Sequence, residues 1–445
     1  MSSAQGTRQS LRRRLSLAAP VAACLILGAS PHLARLKTPS LYADDVDRVA
    51  QLRTGTLGGI LFAPFNEHVA PLFQVVSWTT WRLAGGRLAQ APLAFTLASF
   101  LPFVLTLAVL WRVLKRETRS DAAALVGLAV FSVSWLSIET VWWYSASSFM
   151  WSLLGTLTAW SAIDAGGGRS RRWLALLAST AAPSFSMIGI LAGPVAAVKA
   201  VSAGGRRAWR DALAALAGSL LFLAVYGLVY ERGGVESSAG VWPGLIAVSR
   251  APAAALVPAV VGLRTLPTSG ANGLFLSLVS AAAALGLFVW AWKTPGERPT
   301  ILSGLALIVG GYTLAFCARA GAPNLQIMEV QRYHLFPMLG FVLVLTPGLR
   351  FAFGASRRPV PQCWLAVLLV ALLVAAHRSE LRGRARFLRF PDQAATLATL
   401  DRLDDVCARE GVSRAQAIAA LGPWPADWAP PGRSVGVLLG PCATR

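Results

Sequence analysis

The chain has 445 residues, of which 55% are hydrophobic and 14% charged, and its formal net charge is +21. Its length alone would suggest two or three soluble domains, but long apolar runs such as "PLAFTLASFLPFVLTLAVLW" and "CWLAVLLVALLVAA" exclude that organisation. The positive charge does not signal nucleic-acid binding, because it comes in small clusters between the apolar runs, with no contiguous basic surface interleaved with aromatics.

The expectation is therefore an all-α polytopic membrane protein, since only a helix satisfies its own backbone where no water can reach. Arg12 to Arg14 precede a first apolar helix at about 15–30, read as uncleaved, with the N-terminus cytoplasmic, rather than as a signal peptide. Residues 31–91 are then external. They hold an amphipathic stretch at 44–62 and a second one, "PLFQVVSWTTWRLAGG", whose Trp78, Trp81 and Arg82 suit a headgroup-level interfacial helix. Spanning helices follow at 92–112, 121–138 and 148–165, then a shorter pair at 173–183 and 186–201 and a helix at 211–230. Residues 232–274 are expected outside, with re-entrant apolar patches punctuated by Pro and Gly. Helices at 275–292, 301–317, 335–353 and 362–377 bring the total to about 11. The clusters around Lys115, Arg169, Arg206, Lys293 and Arg357 then share the cytoplasmic side. The chain divides into a membrane domain, 1–377, and a polar external tail, 378–445. Cys24, Cys317 and Cys363 read as packing residues, while Cys407 and Cys442 in the tail are expected to form a disulfide.

Several polar motifs fall on the external side. "LYADDVDRVAQ" gathers Asp44, Asp45 and Asp47 where charge is otherwise scarce. At the first turn of a helix, the dipole would keep Asp44 or Asp45 ionised and able to take a proton from a hydroxyl; an N-cap pair on an interfacial helix is the structural alternative. Asp47 reads as solvated, paired locally with Arg48. "FAPFNEHVAPL" places Glu67 and His68 where they could orient an acceptor or hold a divalent ion with Asp45, or simply form a capped turn. Glu139 in "SIETVWWYSASSFMW" is expensive at membrane depth and so marks a candidate site, with an aromatic belt as the alternative. "MEVQRYHLFPM" puts Arg332, Tyr333 and His334 at the outer mouth of a helix, where Arg332 suits bidentate phosphate binding, snorkelling being the alternative. No phosphate-binding glycine loop is evident, and cytoplasmic loops are too short to fold a nucleotide-binding domain, so an activated donor would have to be membrane-borne.

This pattern resembles the glycosyltransferase C superfamily, which includes protein O-mannosyltransferases and sugar transferases of bacterial envelopes. The resemblance rests on the acidic pair Asp44-Asp45 after the first helix, the interfacial "HVAPLFQVVSWTTWRLAGG" and the late "RYHLFPM", and spans roughly residues 10 to 377. It implies an inverting transferase in the bacterial inner membrane, moving a sugar from a polyprenyl-phosphate carrier to an envelope lipid, glycan or protein on the outer face. It also implies that Asp44 or Asp45 acts as base or positions the acceptor, and that Arg332 contacts the donor phosphate. Tyr333, His334, Glu67, His68 and Glu139 complete the substrate-binding set, with no cofactor required. "NEHVAPL" replaces the double proline of many relatives, and Glu139 has no counterpart in that pattern. A lipid-linked sugar flippase or other secondary transporter is the competing reading, which would place ionisable groups near mid-membrane on broken helices.

Overall fold

A computed structural model describes residues 26, 30, 32–33, 35–42, 44–63, 69–163, 168–205, 208–229, 241–317, 327–354, 359–387, 397–398 and 401. These residues form helices, turns and short 3-10 or π segments, and no strand occurs among them. The first expected span, 15–30, lies almost wholly outside the described residues, as do Glu67, His68, Cys407 and Cys442.

The outer segment expected before the second span is helical in three pieces: α1 (Asp44–Thr54), the single turn α2 (Leu57–Ile60) and α3 (Pro71–Leu83). Thr56 caps α2 by accepting the N–H of Gly59, and Pro71 opens α3, where no intrahelical donor is lost. The membrane helices then run as α4 (Ala91–Thr118), α5 (Asp121–Val133), α6 (Ile138–Trp142), α7 (Ser147–Ala162), α8 (Arg169–Ala181), α9 (Ala192–Ala203) and α10 (Ala208–Val229). After these come α11 (Val241–Ala251) and α12 (Val257–Val260) joined by a π segment, α13 (Gly270–Lys293), α14 (Arg298–Cys317), α15 (Leu335–Gly354) and α16 (Pro359–Phe387).

Seven helices among the described residues are long and apolar enough to cross a membrane, or eight if α5 and the helical turns after it form one bent span. The span expected at 121–138 is broken: Ser134 leaves helical backbone, its hydroxyl accepts the N–H of Leu136, and the axis turns by 52°. The elements at 147–162 and 169–181 are helices but have only 16 and 13 residues, short of the roughly 20 that span hydrocarbon.

The segment 242–260 passes the length and composition test for a span, although it was expected to lie outside. Gly244 lies against Cys317, the last residue of α14, and Gly262 lies against Ala376 and His377, whose imidazole accepts the N–H of Trp135 just past α5.

The bundle thus has two distinct ends. At one, Lys115 pairs with Asp121 across the α4–α5 turn, Arg172 with Asp211, and Arg350 with Glu297, so the basic turns gather together. Arg116 and Lys199 donate to the carbonyls of Ser161 and Trp160, capping the C-terminus of α7 with positive charge. At the opposite end lie α1, α3, the 142–147 turn and the start of α15. α14 and α15 hold that start in place by close approach, since a Cβ on Gly304 would come within 2.6 Å of the Gly340 carbonyl.

α16 continues to Phe387 rather than stopping at 377. Beyond it, Leu397 is fully buried in an apolar cluster with Leu41, Val46, Phe73 and Tyr144, and Asp401 accepts the N–H groups of Leu88 and Ala89 at 2.9 and 2.8 Å. Leu397 and Asp401, in the described part of the tail, thus pack against the first outer segment.

Candidate functional site

α1 begins at Asp44, so its two acids meet the positive end of the helix dipole. Their surroundings then diverge. Asp45 is buried, with its carboxylate surrounded by donors. One oxygen accepts the Ser145 N–H at 2.8 Å and the Ser145 hydroxyl at 2.7 Å; the other accepts the N–H groups of Tyr42 at 3.1 Å and Tyr144 at 3.3 Å. Burial pushes the Asp45 carboxyl up to about 6, against the opposing pull of those donors and of Arg35. Asp45 is thus a buckle between the entry to α1 and the turn before α7. Asp44, by contrast, is only half-buried.

That buckle sets the position of Trp143, the residue just before the two amides Asp45 holds. The Trp143 ring meets Tyr42 edge-on at 5.4 Å and lies 5.0 Å from the Arg332 guanidinium. Arg332 pairs with Glu139 through its side chain and also donates its backbone N–H to the same carboxylate at 3.0 Å. Gln331 accepts the Glu139 N–H at 3.3 Å, so the start of α15 and the α6 turn grip each other twice. Tyr42 stands between the two charged pairs. Its phenol is raised by burial first, then by Glu139 and Asp44, with Arg332 pulling the other way and Asp45 adding to the rise.

The structure therefore brings Asp44, Asp45, Glu139 and Arg332 together around Tyr42 and Trp143. It does not bring His334 to that mouth. His334 is fully buried, with Nδ1 2.9 Å from the Tyr312 hydroxyl and Nε2 3.0 Å from the Met328 carbonyl, so both ring nitrogens have structural partners. The helical start at Gln331 rotates this residue inward, opposite to the expected orientation. Tyr333 is also largely buried, its ring packed among Phe149 and Phe316, though the Arg332 guanidinium sits 5.1 Å from it. Glu67 and His68 lie outside the described residues. Among the described residues no group of three His, Cys, Asp or Glu side chains could hold a metal ion.

Arg48 also departs from expectation. Rather than lying at the surface, it is buried, donates to the Gln74 side chain of α3 and stacks 5.2 Å from the Phe73 ring. Burial lowers its guanidinium to about 10 despite the nearby Tyr144, Asp45 and Asp44. Arg48 and Gln74 tie α1 to α3, while Ser77 of α3 bonds the Tyr144 hydroxyl at 2.8 Å. Sequence reasoning missed Arg48, Gln74, Ser145 and Gln331 as supports of the site. A signal did exist for two of them: Arg48 and Gln74 fall among apolar residues of their helices, beside Val49 and Leu52 and beside Phe73 and Trp81.

The arrangement offers a half-buried carboxylate at a helix start, a guanidinium flanked by aromatic faces, and indole and phenol rings between them. Such a set can accept a proton, stabilise an anionic leaving group and stack against an apolar sugar face. Comparisons with family models, with curated proteins and with solved structures give no match to this chain.

Proposed function

We propose that this chain is a membrane glycosyltransferase that takes a sugar from a polyprenyl-phosphate carrier and passes it to an envelope lipid, glycan or protein. The observation that carries the reading is the convergence of Asp44, Glu139 and Arg332 around Tyr42 and Trp143, at the end of the bundle opposite the basic turns. With basic turns facing the cytoplasm, this end faces outward, in an inner membrane crossed about 11 times once the shorter helices are counted. The donor must then be a lipid-borne sugar.

In this reading the two acids have different tasks. The Asp44 carboxylate takes the proton of the acceptor hydroxyl as its oxygen bonds to the anomeric carbon. The bond from that carbon to the phosphate oxygen breaks, and the polyprenyl phosphate leaves with the electron pair. Arg332 stabilises the charge that builds on it, and Glu139 aims the guanidinium. A single displacement inverts the anomeric configuration. Asp45 holds the turn that carries Trp143.

Incubating the purified protein with labelled polyprenyl-phosphate sugars tests the proposal. Release of polyprenyl phosphate with transfer or hydrolysis of the sugar is the expected result, and Arg332→Lys should raise the donor KM because it loses the planar fork. Movement of intact donor across a vesicle membrane with no cleavage would instead establish a transporter.

A further inference from the structure

The backbone at Leu397 and Asp401 is helical, so these side chains, four positions apart, share one face. Both reach back to the first outer segment. Asp401 accepts the N–H groups of Leu88 and Ala89, 313 and 312 positions earlier. Those amides open the first turn of α4, where Gln90 supplies no side-chain cap. The Asp401 carboxylate thus satisfies two helix-start donors from the other end of the chain, and its charge suits the positive end of α4. The same charge reaches Arg53 in the last turn of α1, whose guanidinium burial lowers while Asp401 pulls it back up. Leu397 has no exposed surface and shares a buried cluster with Val46, Val49 and Leu52 of α1, Phe73 of α3, Phe95 of α4 and Tyr144.

These contacts fall where the site needs support. α1 has 11 residues, too few to persist as a helix in water without tertiary contacts. Asp45 fastens its start to Ser145, and Arg48 fastens its middle to Gln74. Leu397 and Asp401 act at its remaining end, against the start of α4. Tyr144 belongs to the same cluster: its ring lies 5.1 Å from Phe73 and 4.4 Å from Phe95, and its N–H goes to Asp45. The tail therefore backs both the helix that carries Asp44 and the turn that carries Trp143.

We infer that Leu397 and Asp401 are positioning residues for the transfer step, a strap from the C-terminal tail that fixes α1 against α4 and so sets Asp44. This rests on the transferase reading of the Asp44–Arg332 cluster. The strap acts on the acceptor side, through α1 and Tyr144. Arg332 and Glu139, which face the donor phosphate in that reading, hold each other through contacts that involve neither tail residue.

The experiment compares full-length wild type, Asp401→Ala and Asp401→Glu in one detergent, with two readings. Amide hydrogen exchange over residues 44–54 reports on α1 and needs no substrate. Transfer from a labelled polyprenyl-phosphate sugar gives kcat and the donor KM. Asp401→Ala should speed exchange over 44–54 and leave residues 335–354 of α15 as in wild type. It should lower kcat about tenfold with the donor KM unchanged, the signature of a misplaced reacting group rather than a lost binding contact. Asp401→Glu keeps both carboxylate oxygens and should restore most of the rate. Unchanged exchange over 44–54 in Asp401→Ala would overturn the strap, and so would an unchanged kcat beside an active wild type. Absence of transfer in wild type would instead overturn the transferase reading. Should Asp401→Ala fail to fold, Asp401→Asn, which keeps one acceptor oxygen, decides on the same two readings.

Discussion

The two ends of the bundle handle charge in opposite ways. At the basic end the pairs are partly exposed: Lys115 with Asp121 shows 55% and 24% of the side chains, and Arg350 with Glu297 shows 38% and 23%. These contacts join turns and helix ends in a wet, high-dielectric setting, where each pair contributes about 0–1 kcal/mol. At the other end Asp45 and Arg48 are buried, Glu139 and Arg332 expose only 14% and 21% of their side chains, and each is held by partners far away in the chain. Burial makes each of these groups costly to leave unpaired, so its geometry is tightly specified. Charge at the first end orients and solubilises; charge at the second can be aimed.

The largest effect that would test this contrast is on rate. Asp44→Asn keeps the size of a half-buried side chain and removes only its capacity to take a proton. It should slow sugar transfer by roughly a hundred- to ten-thousand-fold, while thermal unfolding in detergent stays near that of wild type. A full transfer rate in Asp44→Asn would remove the base from the mechanism.

Next comes stability. Glu139→Ala strips the partly buried Arg332 of its carboxylate partner and should destabilise the protein by about 1.5–3 kcal/mol, read as a shift in the unfolding midpoint. A shift no larger than that of a surface pair would erase the difference between the two ends.

Asp45 supplies a pH signature. Its folded pKa, about 6, lies above the usual 3.8, so the folded state binds this proton more tightly than the unfolded chain does. The stabilisation is complete below about pH 4, is lost as pH rises through about 6, and amounts to roughly 3 kcal/mol. Asp45→Asn should abolish that slope. It should also destabilise the fold at every pH, because an amide N–H₂ would confront the amides of Tyr144 and Tyr42. A slope that persists in the variant would assign it to another group.

The smallest expected effect is at the basic end. Lys115→Gln should change stability by no more than about 0.5 kcal/mol, and raising the salt concentration should shrink even that. A loss of several kcal/mol would show that this end is as tightly specified as the other.

Much of the fold was legible in the residues themselves. Apolar runs marked where helices lie, because a helix is the form that can be apolar and still satisfy its backbone. "PLFQVVSWTTWRL" announced α3. The basic clusters marked the turns that hold Lys115 and Arg172, each of which pairs with an acid at a helix start. Apolarity was a weaker guide to which helices cross fully, since 147–162 and 169–181 proved short, while 242–260, expected outside, is long and apolar enough to span.

What tertiary structure alone decided is the division of labour within neighbouring residues. Asp44 and Asp45 are chemically identical and adjacent, yet about 100° apart around a helix axis, so one meets Ser145 and the other the surface. Arg332 and His334 part in the same way, one to Glu139 and Trp143, the other to Tyr312 in the core. Glu139 and Arg332 are 193 residues apart, and no local pattern foretells that they meet. Periodicity reports which face of a helix is buried; only packing against other helices settles what a polar residue on that face will touch.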